Sequence, residues 1–75
     1  MNYFLKINID DFLKLYKFQK DSRKNIFIKF DEKGNLYYSL TEKNLNEGLK
    51  LDNNFKDDHS LRKFIRSYKK TIGKN

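Results

Sequence analysis

The stretch NIFIKFDEKGNLYYSL, Asn25 to Leu40, constrains the fold of this chain more than any other. Asp31 suits the first position of a type I turn, and Gly34 suits the left-handed position that closes a short hairpin loop. If Asp31 faces Asn35, the register of two antiparallel strands is fixed. Phe30 then opposes Leu36, Ile28 opposes Tyr38 and Ile26 opposes Leu40 on one face, while Lys29 opposes Tyr37 and Phe27 opposes Ser39 on the other. The first face is wholly apolar and is expected in the core. The second mixes Phe27, Lys29 and Tyr37, a set suited to a solvent-facing surface.

Two helical patterns can cover the apolar face. After Asn8, a suitable N-cap, Ile9, Phe12, Leu13 and Tyr16 recur at three-and-four spacing, with Asp10 and Asp11 in the first turn where the helix dipole favours acids. The spacing predicts a helix near 9–19. At about 100° per residue Phe18 falls opposite this stripe, so either the helix frays before it or its ring is exposed. Near the other end, Leu61, Phe64, Ile65, Tyr68 and Ile72 share an arc of about 100°, predicting a helix that starts at Asp57 or Asp58 and stops at Gly73.

Tyr3, Leu5 and Ile7 alternate with Phe4 and Lys6, which predicts a short strand over 3–7. The segment TEKNLNEGLKLDNN reads two ways. Leu45 and Leu49 fit a short helix capped by Thr41, whereas Leu49 and Leu51 fit a third strand after a turn at Gly48. The strand is the preferred reading.

The expected fold is therefore an α+β domain over residues 1–75, with two helices on one face of a two- or three-stranded antiparallel sheet. Its order is α-β-β-(β)-α, with room for an extra N-terminal strand. This order resembles that of small double-stranded-RNA-binding domains. No run matches the Gly and Lys pattern that such domains carry before and within their last helix, and no family is assigned.

Composition narrows the function classes. A chain of 75 residues leaves no room for an enzyme cleft plus scaffold. Seven Phe, five Tyr, nine Leu and six Ile, with no Ala or Val, imply a bulky aromatic core. Without Cys there is neither a disulfide framework nor a thiolate zinc site, which fits a cytoplasmic protein. Charged residues interrupt the N-terminal stretch MNYFLKINIDDFLKLYKF, which excludes a signal peptide or membrane span there. The net charge of +7 favours nucleic acid or an acidic protein surface as partner, although AT-rich codon bias would raise the Lys content in the same way.

The charge is concentrated at the end of the chain. On a helical wheel Arg62, Lys63, Arg66, Lys69, Lys70 and Lys74 share an arc of about 140° opposite the apolar stripe. From His59 onward there is no acid. Arg62 and Arg66 suit forked phosphate contacts, the lysines act as point charges, and Ser67 and Thr71 sit at the edge as hydroxyl donors. The helix dipole explains Lys69 and Lys70 but not Arg62 and Lys63. The first helix interleaves acids with Lys14 and Lys17; the last has no intrahelical acid partner, and Arg62, Arg66 and Lys70 repel at i,i+4 spacing.

A secondary surface is offered by Phe27, Lys29, Tyr37 and Phe18, where rings beside cations would stack unpaired bases. Burial of Phe27 and Tyr37 beneath the N-terminal strand or a dimer partner is the preferred alternative. No catalytic set is recognised: His59 is the sole histidine, and Asp10/Asp11, Asp31/Glu32 and Asp57/Asp58 sit where caps and turns explain them. Acid–base work by His59 beside the basic strip is a minor reading. No metal or cofactor site is expected, and EKGN is a turn rather than a phosphate loop. The sequence thus leads to a non-enzymatic nucleic-acid binder, monomeric or homodimeric, with no small-molecule substrate. The alternative is a phage or mobile-element inhibitor, anti-defence or anti-CRISPR-like, that docks on a host protein or its nucleic-acid complex.

Overall fold

The computed structural model describes residues 4–41, 48–51 and 55–72, the side chain of Ile72 excepted. In chain order they form β1 (Leu5–Lys6), α1 (Ile9–Ser22), β2 (Ile26–Phe30), β3 (Leu36–Ser39), β4 (Leu49–Leu51) and α2 (Asp58–Ile72). The strands make one antiparallel sheet in the order β1-β3-β2-β4, giving an α+β architecture.

The central hairpin has the register its turn chemistry dictates. Phe27 faces Ser39, Ile28 faces Tyr38, Lys29 faces Tyr37 and Phe30 faces Leu36. The Gly34 amide donates to the Asp31 carbonyl (3.0 Å), the Asp31 amide donates to the Asn35 carbonyl (3.1 Å), and Gly34 sits at φ 84°. The expected Ile26–Leu40 pair does not form. The Ser39 hydroxyl accepts from the Thr41 amide at 3.2 Å, a local bond that competes with the ladder and ends β3 at Ser39. Leu40 is 48 % exposed, and Ile26 is left paired only on its other side, with Leu51 of β4.

The outer strands extend the sheet on both sides. β1 pairs with β3 through Leu5–Tyr38 and Lys6–Tyr37, and β4 pairs with β2. The strand reading of Leu49 and Leu51 is thereby met; the competing helix from Thr41 lies mostly on residues outside those described. A Cβ at Gly48 would stand 2.6 Å from the Ile28 carbonyl oxygen and 2.9 Å from the Phe4 ring. Only glycine lets β4 approach β2 this closely.

α1 begins as its cap predicts, with the Asn8 side chain accepting from the Asp11 amide at 2.8 Å. It runs past residue 19 because Arg23 supplies a left-handed C-terminal cap at φ 58°: the Arg23 amide donates to the Lys20 carbonyl and the Lys24 amide to that of Gln19. The helix does not fray at Phe18, whose ring is 64 % exposed. α2 is capped by Asp57, which accepts from the Ser60 amide at 2.8 Å. The expected stop at Gly73 lies outside the described residues.

Both helices cover the same sheet face. Phe12, Leu13 and Tyr16 of α1 and Leu61 and Ile65 of α2 close over Ile26, Ile28, Leu36 and Leu51 in one buried cluster. Burying each large side chain stabilises by roughly 1.5–3 kcal/mol. A chain of rings links the layers: Tyr16 meets Phe55 at 6.0 Å, Phe55 meets Phe64 at 5.2 Å, and Tyr68 meets Phe30 at 5.8 Å. The helices pass in opposite senses, since Asp10 of α1 pairs with Arg62 (2.7 Å) while Lys17 pairs with Asp58 (3.3 Å). Among the described residues no helix is long and apolar enough to cross a membrane.

Candidate anion-binding cleft

The cationic arc of α2 does not face one way. Arg62, Arg66 and Lys69 line an open cleft of about 720 Å³, whereas Lys63 and Lys70 lie outside it and are exposed. The division follows from the helix period: Lys69, Arg62 and Arg66 lie nearest Ile65 on the wheel, and Ile65 is anchored in the core. The opposite walls are the β1–α1 junction and the β2–β3 turn.

Each end of the cleft is closed by a side chain. At one end the Arg62 guanidinium holds Asp10 across the helix pair. At the other the Lys69 stem lies against Gly34, near enough that a Cβ there would stand 2.7 Å from its Cε. Seven residues separate these positions, about 10 Å along the helix axis. Arg66 stands between them, exposed, and neither it nor Lys69 has an acid partner among the described residues. The floor is apolar, from Ile7, Ile9, Phe30, Leu36 and Ile65. Asp11 also lines the cleft at the α1 end, where its carboxylate accepts from the Asn8 side-chain amide at 3.0 Å.

This geometry revises several residue assignments. Arg62 is not an unexplained charge, because Asp10 partners it from 52 positions away. The β1–α1 junction, the hairpin turn and α2 leave an open cleft beside Ile65, which is one of its lining residues. Lys6 and the turn residues Gly34 and Asn35 belong to the lining and were not legible as site residues. The only sequence signal for Lys6 was its place in a predicted strand that leads directly into the Asn8 cap. His59 and Ser67 are exposed on α2 away from the cleft lining, and Lys74 lies outside the described residues.

The secondary surface does not assemble. Phe27 is 1 % exposed and cannot stack a base. Phe4, itself buried, lies on the same side of the sheet, so the preferred alternative of cover by the N-terminal segment holds in part. Lys29 is half-buried, its ammonium 4.7 Å from the Phe4 ring and 5.8 Å from that of Tyr37. The Tyr37 hydroxyl donates to Asp31 at 3.0 Å, and this bond to a carboxylate raises the phenol pKa. Phe18 stands apart on α1.

Chemically, the cleft offers a forked and a point-like cation along α2, a carboxylate acceptor at the α1 end and an apolar floor between. No cluster of His and acidic side chains able to hold a metal lies among the described residues. No family model matches the chain, and no curated protein or solved structure shows significant similarity to it.

Proposed function

We propose that this chain is a non-enzymatic binder of nucleic acid that grips the phosphate backbone through α2. The observation that carries the reading is the imbalance on that helix. Arg66, Lys69, Lys63 and Lys70 face solvent without an acid partner among the described residues, while nearby acids are engaged elsewhere, Asp10 with Arg62 and Asp57 with its own helix cap. Like charges at i,i+4 cost a few tenths of a kcal/mol in an isolated helix, roughly, and phosphates relieve that repulsion on contact.

Binding of labelled RNA and DNA oligonucleotides between about 50 and 200 mM salt tests this directly. Affinity is expected to fall steeply with salt, and the double charge reversal Arg66→Glu/Lys69→Glu to lower the slope by about two while the fold is retained. Absence of binding at low salt would overturn the proposal. Recovery of a single protein after nuclease treatment of a cell extract would move the assignment to an inhibitor that docks on an acidic protein surface.

A further inference from the structure

We infer that the cleft beside α2 seats one unstacked nucleotide, so that the protein prefers single strands or strand ends to the interior of a duplex. This rests on the nucleic-acid reading above and adds where and how a base is held.

The inference follows from the two ends of the cleft being chemically unlike. Lys69, against Gly34 at the hairpin end, and Arg66, about one turn before it on α2, supply the charge for a phosphate. At the α1 end, beside Lys6 and the Asp10-paired Arg62, Asp11 presents a carboxylate, which accepts from hydroxyl or amino groups. Between them lie Ile7, Ile9, Leu36 and Ile65, an apolar surface that suits the face of a flat ring and offers nothing to a charged one. A nucleotide has this polarity: phosphate at one end, donor groups on its ribose and base at the other, and a planar apolar face. A peptide of Asp and Glu does not, because it brings charge but no flat apolar face to lay on this floor. A duplex presents phosphates but keeps its base faces stacked inside, leaving the floor uncovered. The volume of about 720 Å³ lies within the range of clefts that enclose small organic ligands. The ion pair between Arg62 and Asp10 bounds the cleft at the α1 end and leaves Arg66 as the lining arginine available to fork a phosphate or stack on the open face of the base.

The test is methyl and amide NMR of the full chain titrated with uridine 5′-monophosphate, with inorganic phosphate and polyglutamate as controls. The nucleotide is expected to shift the methyl signals of Ile7, Ile9, Leu36 and Ile65, while phosphate moves only signals near Arg66 and Lys69. In parallel, the cleft-filling variant Ile9→Trp is expected to weaken oligouridylate binding by about tenfold or more, the scale of one lost base stack, with the salt slope unchanged. Its duplex affinity should stay at the wild-type level. Nucleotide shifts confined to the Lys63 and Lys70 side, floor shifts of equal size with polyglutamate, or wild-type oligouridylate affinity in Ile9→Trp would each overturn the inference. Equal salt-dependent binding of single strands and blunt duplexes would overturn it while leaving the backbone-binding proposal standing. Absence of all nucleic-acid binding removes both.

Discussion

The hairpin turn and the cleft wall lie at opposite ends of one side chain, Lys69, and differ in how far their polar groups are satisfied. In the turn, the Asp31 carboxylate accepts from the Lys33 amide, the Asn35 amide, the Asn35 side chain and the Tyr37 hydroxyl, all between 2.8 and 3.0 Å. Four donors on one carboxylate leave nothing for a ligand. Lys69, whose stem lies against Gly34 of that turn, and Arg66, which lines the same cleft, have donors and no acid partner among the described residues. The same backbone thus shows what a polar group looks like when the fold uses it and when the fold leaves it available. Charge density alone does not separate the two; the partners do.

The comparison predicts that substitutions in the closed region act on stability and those in the open region on binding. The largest effect is expected at Phe27, which is buried on the sheet side away from the helices. Phe27→Ala should cost about 3–5 kcal/mol, because an aromatic core truncation loses transfer energy and leaves a cavity. In a domain this small that approaches the whole of the stability, so urea denaturation should show an unfolded or barely folded chain. A solvent-facing Phe27, as the mixed character of its face suggested, would cost a fraction of this.

Next in size is Gly48→Ala. The added methyl meets the Ile28 carbonyl oxygen and the Phe4 ring at once, and the former is backbone that cannot swing away. A loss of about 1–3 kcal/mol is expected, read as a lower urea midpoint with accelerated hydrogen exchange along β4. Unchanged stability would mean that β4 does not lie against β2 as closely as described.

The third prediction concerns acid. Hydrogen bonds from the Asn35 side chain and amide, chiefly, hold the Asp31 carboxyl at about 2, below its ordinary 3.8. A depressed folded-state value means that the stabilisation is present above the unfolded value and is lost as pH falls from about 3.8 towards about 2. Asp57 is lowered too, mainly by the Ser60 amide, and titrates on the same side. Thermal unfolding across this window should show a falling midpoint. Asp31→Asn should be less stable at neutral pH and should flatten the acid dependence, with the residue due to Asp57 remaining. An unflattened profile would remove Asp31 as the group responsible.

What the sequence made legible divides along the same line. The hairpin register, the Asn8 cap and the apolar stripes of both helices were readable because each is set by residues a few positions apart. Turn chemistry and helical period act locally and leave periodic traces. The pairing of β1 with β3, the approach of β4 to β2 at Gly48, and the Asp10–Arg62 bond join residues far apart in the chain, and nothing in their spacing announces them. The cleft is of this second kind, since it exists only where the β1–α1 junction, the hairpin turn and α2 come together. Reading α2 alone gave one cationic strip; the position of Ile65 in the core is what splits it. Leu40 failed for a smaller reason, a serine hydroxyl that ends a strand one residue before its hydrophobic pattern does.

The smallest stability effect, and the sharpest contrast with Phe27, is expected at Arg66. Its side chain is exposed and unpaired with any described acid, and it shares a helix face with Arg62 and Lys70 at i,i+4 spacing. Removing the charge in Arg66→Ala relieves two repulsions of a few tenths of a kcal/mol each while giving alanine's higher helix propensity, so stability should be unchanged or rise by up to about 0.5 kcal/mol. Lys63→Ala on the far side of the helix should match it in stability. If the cleft is the site, the two must part in binding: Arg66→Ala should lose more oligonucleotide affinity than Lys63→Ala at the same salt. Equal losses would return the function to the undivided strip, and with it the view that α2 binds as a plain cationic rod.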